Sequence, residues 1–210
     1  MSVTIIIIII TVLVSLSANS NITLYTKLLY NPYKVYHNKE WYRLFTHAFI
    51  HDKDNIFHLI VNMYVLYIFG RATENYFIAI IGTTKAIYFY FLLYIGGVFF
   101  ATLPSMSRHK NNYLYNSVGA SGAVSAVLFS AIIFNPTTGI VFIFLPFFHI
   151  PAFLFGILYL AYEIYMDKRS KDYIAHDAHI WGALFGIIFT FTAIPGAFVN
   201  FINQITYFVN

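Results

Sequence analysis

The apolar stretches of this chain, such as "TIIIIIITVLVSL" and "LIVNMYVLYIFG", are too long and too closely spaced for a soluble domain to bury. A bilayer core is crossed by about 20 predominantly apolar helical residues. The runs here are continuous rather than alternating, which fits helices and not a membrane barrel. The reading is all-α: a single polytopic helical bundle over residues 1–210 with six spans, at about 3–18, 56–79, 86–104, 119–134, 139–164 and 174–194. Composition agrees, with 60% hydrophobic and only 10% charged residues and a mean hydropathy of +0.70, outside the soluble range. The first run resembles a signal peptide in length but has no Lys or Arg ahead of it, so it is read as an uncleaved first helix.

Charge and residue types then exclude several functions. The net charge of +4 comes from twelve basic residues spread over the connections, without the basic face or block that a nucleic-acid partner requires. The chain has no cysteine, which removes disulfides, thiolate nucleophiles and iron–sulfur ligation. HExxH is absent, and no pair of aspartates lies within the spans, so neither zinc-dependent nor aspartyl intramembrane chemistry is indicated. His47 and His51 stand four apart and could share a metal only with a third ligand from elsewhere. No metal and no cofactor is expected.

The longest connection, 19–55, is aromatic and partly apolar, which suits a segment packed on the bundle at the membrane interface. The stretch "PSMSRHKNNYLYNS", opened by Pro104, reads as a loop before a short fourth span. A helix that begins below the membrane surface needs its incoming loop buried in protein or facing a water-filled cavity. Topology signals are mixed. If the N-terminus is cytoplasmic, the outer loops hold ten of the twelve basic residues and the inner ones only Arg71 and Lys85, the reverse of the positive-inside rule.

Chemistry is concentrated in a few polar residues inside the spans. Ser121 lies in "YLYNSVGASGAVSAVL", among Gly119, Ala120, Gly122 and Ala123. Small residues of this kind allow close helix packing. They also clear space around a hydroxyl at a helix start whose N–H groups lack partners. A serine becomes a nucleophile only beside a base. Of the eight histidines, His179 in "IAHDAHIWGALFG" precedes Gly182 and Gly186, a spacing suited to packing against the Ser121 helix. His176 competes for the same role, Asp177 falls off that face and in the loop, and no acid is evidently placed as a third member. His149 reads as a packed or gating residue. In "DNIFHLIVNMYVLYIFG", His58 and Asn62 share a helix face. They serve either as hydrogen-bond glue between helices or as donors to a developing oxyanion, together with the Ser121 backbone N–H.

Taken together, "EWYRLFTHAFIH", "HLIVNM", "GASGA" and "AHIWGALFG", in that order, resemble the rhomboid family of intramembrane serine proteases. The resemblance implies a six-helix fold, no metal, and a Ser121–His179 dyad that cleaves peptide bonds in or near transmembrane segments of membrane proteins. By the same likeness Gly119 and Gly122 belong to the nucleophile motif, and His58, Asn62 and the Ser121 N–H form the oxyanion site. Trp41 and Arg43 hold the first loop against the bundle, Glu74 braces that loop or its supporting helix, and Gly182 and Gly186 line the histidine helix. The family also implies a multi-pass protein of the bacterial inner membrane with a cytoplasmic N-terminus. Its partners would be the bilayer and transmembrane substrates, entering between spans two and five under a polar lid at 165–178.

Two positions depart from the family pattern. Tyr42 separates Trp41 from Arg43, and Ser125 stands where many members carry an aromatic residue that packs on the catalytic histidine. Two alternatives remain at this stage: a catalytically inactive rhomboid-like protein that binds membrane helices, and a small transporter using its buried histidines.

Overall fold

The computed structural model describes residues 2–142, 145–169 and 174–210. It is predominantly helical. In order come α1 (Val3–Asn19), α2 (Ile22–Leu28), α3 (Pro32–Asn38), α4 (Arg43–Thr46), a 3₁₀ turn (His47–Phe49), α5 (Ile56–Ile81), α6 (Thr83–His109) and α7 (Ser121–Phe134). A two-stranded hairpin, β1 (Gly139–Phe142) and β2 (Leu145–Pro151), precedes α8 (Ala152–Arg169), α9 (His176–Ala193) and α10 (Ala197–Val209). By length and composition α5 and α6 are candidate membrane spans, and α9 with α10, bent by 107° at their junction, makes a third.

The bundle is built around α7. Apart from Ser121, every residue of this helix is buried, as is expected of an element that is apolar all round. It is wrapped by α5, α6 and α9. Polar side chains fix it laterally without exposing it: Thr73 Oγ1 donates to the Val127 carbonyl, Thr190 Oγ1 bonds Ser130 Oγ at 2.8 Å, and Gln204 on α10 reaches the Phe134 carbonyl. Its 14 residues span only about 21 Å, well short of a hydrocarbon core of about 30 Å.

The first connection does pack on the bundle. Tyr30 and Ser117 form an antiparallel bridge with both N–H···O contacts at 3.0 Å. Asn31 Nδ2 donates to the carbonyls of Tyr113 and Tyr115, so the segment before α7 is tied to the segment after α2. Arg43, 3% exposed, donates to the carbonyls of Thr26 and Leu29 at 2.9 and 2.7 Å and to Glu40 at 2.6 Å. The guanidinium reaches all three because its donors fan out in a plane.

Several expectations are corrected. Residues 139–142 and 145–151 are paired strands, with Ile140 opposite Ile150 and Val141 opposite His149, where a continuous span 139–164 was expected. β-branched and aromatic residues favour extended backbone, and Pro151 biases its predecessor the same way. His149 is consequently exposed on β2 and is not a packed residue. Pro104 lies inside α6, which runs on to His109. The proline removes one N–H, but the following turn is anchored by Ser105 Oγ and Arg108 Nη1 on Asp177 and by Arg108 on Asp167. Trp41 is 53% exposed and meets the Lys39 ammonium, so it does not hold the loop to the bundle; the hydrogen bonds of Arg43 to Thr26, Leu29 and Glu40 tie the first connection together internally. Glu74 receives Val3 N–H, Thr4 Oγ1 and Ser2 Oγ. It braces the start of α1, whose first-turn donors a carboxylate satisfies well, rather than the first loop. The segment 165–178, expected as a lid, divides between the ends of α8 and α9 and residues 170–173, which lie outside the described residues. Helix α10 lies beyond the expected spans.

Candidate active site

Ser121 is the first residue of α7, and the turn leading into it is held from the first connection. Gly119 adopts φ +116°, a backbone conformation that side-chain-bearing residues rarely take. A Cβ there would also lie 2.7 Å from His58 Cε1. The glycine thus allows the turn and admits the histidine ring. Gly119 N–H donates to the His47 carbonyl at 3.0 Å, and Ala120 N–H points at His51 Nε2 at 3.5 Å. On its other side His51 Nδ1 lies 3.0 Å from Ser15 Oγ, and that hydroxyl also reaches the Phe49 carbonyl. One tautomer satisfies every partner: His51 donates through Nδ1 and accepts at Nε2. Burial pushes the His51 imidazole down to about 3, with His58 beside it adding to the effect. Burial likewise takes His47 down to about 4, against the opposing hydrogen bond to the Arg43 carbonyl. Both rings are neutral structural members, already engaged by the backbone, and do not form the metal pair that their spacing allows.

His58 stands edge-on to His51 with ring centroids 5.1 Å apart. Asn62, one turn on, is buried and donates Nδ2–H to the His58 carbonyl at 2.7 Å. His58 therefore borders the Ser121 turn, while the Asn62 amide is engaged within its own helix.

The opposite wall is α9. A Cβ on Gly182 would fall 2.0 Å from the Gly122 carbonyl oxygen, and one on Gly186 2.2 Å from that of Ala126. The backbones of α7 and α9 are thus in direct contact, as small-residue spacing permits. Gly122 follows Ser121, and Gly182 lies one turn beyond His179. The same contact therefore brings together the helix ends that carry the serine and the histidine.

A third element completes this wall. Glu163 on α8, buried at 4% exposure, receives His176 Nδ1 at 2.6 Å on one oxygen and His179 Nδ1 at 3.0 Å on the other. Tyr159, one turn earlier, lays its ring roughly parallel to that of His179 at 6.4 Å, and its hydroxyl bonds Ser125 Oγ at 2.9 Å. The place left by the missing aromatic at Ser125 is thus filled by a ring from the neighbouring helix. Asp177 belongs to the first turn of α9 and is buried, not in a loop as expected. It faces Ser105 and Arg108, away from Glu163. Among the described residues Glu163, His176 and His179 also form the one grouping able to hold a metal ion, with ligand atoms within 4.8 Å of one another. As it stands, each carboxylate oxygen already carries an imidazole nitrogen.

Glu163 was not among the residues selected from sequence, and the absence of a placed acid is corrected here. The signal was present in "YLAYEIYM": a lone carboxylate within an apolar run is expensive unless it is paired, and is therefore a functional candidate. Tyr159 and Glu163 are four apart and share a face.

The rhomboid-domain model matches residues 38–196, most of the chain, and the protein belongs to the rhomboid family. A search of curated proteins finds no match.

Proposed function

We propose that this protein is an intramembrane serine endopeptidase that cleaves peptide bonds in or near transmembrane segments of other membrane proteins. The observation that carries the reading is the Gly122–Gly182 backbone contact. It sets the N-terminal residue of α7, a serine, beside the first turn of α9, which carries His179. His179 Nε2 takes the Ser121 proton as Oγ attacks the peptide carbonyl, then delivers it to the leaving amine nitrogen as the C–N bond breaks. Water, deprotonated by the same nitrogen, hydrolyses the acyl ester and restores Ser121. The oxyanion is held by the Ser121 N–H and by His58 and Asn62, the latter after exchanging its bond to the His58 carbonyl for the substrate. Each such donor is worth roughly 3 kcal/mol in the transition state.

Six crossings formed by α1, α5, α6, α7, α8 and α9 complete the reading, in a bacterial-type inner membrane with the N-terminus cytoplasmic. The brevity of α7 sets Ser121 below the bilayer surface. Substrate enters between α5 and α8; that α8 leans on α7, α9 and the hairpin rather than on α5 supports this route.

The test is labelling of the purified protein in detergent with a serine-reactive fluorophosphonate, alongside cleavage of a reconstituted transmembrane substrate. Both signals are expected in the wild type and are abolished by Ser121→Ala and His179→Ala. A folded wild type that neither labels nor cleaves but retains membrane helices would establish the inactive, helix-binding alternative.

A further inference from the structure

We infer that Glu163 is a positioning residue that turns the serine–histidine pair into a triad, supplied from α8 and shared with a second histidine. This deepens the proposed protease reading and rests on it.

A carboxylate placed among apolar helices is costly unless its lone pairs are met. The side chain of Glu163 is 6% exposed and its neighbouring imidazoles, His176 and His179, are 4% and 15% exposed. Each of the two Glu163 oxygens faces an imidazole Nδ1, at 2.6 and 3.0 Å. Packing alone does not require it, since an apolar residue of similar volume would fill the α8–α9 contact at no desolvation cost.

The geometry then fixes a tautomer. With a carboxylate oxygen 3.0 Å from Nδ1, the proton of neutral His179 resides on Nδ1 and the lone pair on Nε2. That is the form able to accept the Ser121 proton. When His179 becomes imidazolium in the transition state, the Glu163 charge stabilises it without taking the proton. His176 occupies the second oxygen at 2.6 Å. It holds the carboxylate plane in place, so that the oxygen facing His179 cannot rotate away. Tyr159, one turn before Glu163, limits the remaining freedom of the ring. Carboxylates that accept the free ring N–H of metal-bound histidines fix tautomer and ring orientation in the same way.

Both constraints on His179 come from α8, the same helix that the substrate passes. The base is therefore correctly set only while α8 is seated against α9.

The test compares full-length wild type with Glu163→Gln and Glu163→Asp on a transmembrane substrate, with folding followed by thermal denaturation. Glutamine keeps the shape and one hydrogen-bond acceptor but loses the charge. It should lower kcat by about 10²–10⁴-fold, the scale seen when a triad carboxylate becomes an amide, with KM nearly unchanged. Aspartate should recover a substantial part of that loss. A Glu163→Gln protein with wild-type kcat, or an equal loss in both variants, would overturn the inference. Because the Gln variant could fail to fold, nitrogen-15 spectra of wild-type protein, assigned with His179→Asn, provide a second measurement. Neutral His179 protonated on Nδ1 supports the role, and protonation on Nε2 overturns it. The wild type separates the two layers: absence of Ser121-dependent cleavage defeats the protease reading, whereas cleavage that ignores the Glu163 charge defeats this inference alone.

Discussion

The two contacts that α9 makes on either side of the site are of opposite kinds. Against α7 it presents glycines, and the two backbones touch at Gly122–Gly182 and Ala126–Gly186. Against α8 it presents His176 and His179 to a single carboxylate. The first contact has no adjustable part, so it sets position rigidly. The second is made of side-chain torsions and charge, so it sets protonation and orientation and can be broken and remade. The proposed chemistry, which must place a nucleophile to within a fraction of an ångström and also admit a substrate, benefits from having both.

The difference can be tested at several strengths. The largest effect is expected for Gly182→Ala, because its Cβ meets backbone that cannot move aside. The variant should lose about 3 kcal/mol or more of stability, read as collapse of the thermal midpoint in detergent. Acid comes next and probes the loop that braces the Ser121 turn. His47 and His51 titrate near 6.5 when unfolded and at about 4 and about 3 when folded. Between these limits the unfolded chain binds protons that the native one refuses, so stability falls as pH drops from 6.5 toward 4. The loss is at most about 1.4 kcal/mol per pH unit for each histidine, and His51→Asn should flatten the slope seen in denaturation scans. Gly96→Ala sharpens the comparison, since the nearest atoms a Cβ there would meet belong to the Phe185 ring, which can turn. A loss of about 1 kcal/mol is expected, and a loss matching Gly182→Ala would erase the distinction between backbone and side-chain contacts. The smallest effect belongs to Tyr159→Phe, which removes the bond to Ser125 but keeps the ring over His179. About 1 kcal/mol with a change in kcat of only a few-fold is expected, and a loss as deep as that of His179→Ala would give the hydroxyl a role in the reaction.

The same contrast explains what was legible in the chain. The α7–α9 contact through Gly122, Gly182 and Gly186 could be read because small residues and helical spacing encode backbone contact locally. Arg43 stood out in the chain, though not its carbonyl partners on and just after α2. Glu163 was missed because its meaning depends on two histidines 13 and 16 positions away, on a different helix that no local pattern reaches. Tyr159 was missed for a related reason: a vacancy at Ser125 was visible, but its filling came from another helix. The strands at 139–142 and 145–151 were misread as helix because an apolar run alone does not distinguish the two, and the prolines there outweigh hydropathy.

The tie from Ser15 through His51 to Ala120, and from there across α7 to His179, has a consequence for biosynthesis. The pieces that meet around Ser121 are drawn from nearly the whole length of the polypeptide, and the base arrives in the last third of it. On the proposed chemistry, a chain emerging helix by helix into the membrane carries its nucleophile for some sixty residues with nothing to activate it. On that chemistry it is inert toward the insertion machinery and neighbouring nascent proteins until α8 and α9 have both been laid down, so the arrival of α9 in the bundle is itself the step that switches the proposed activity on.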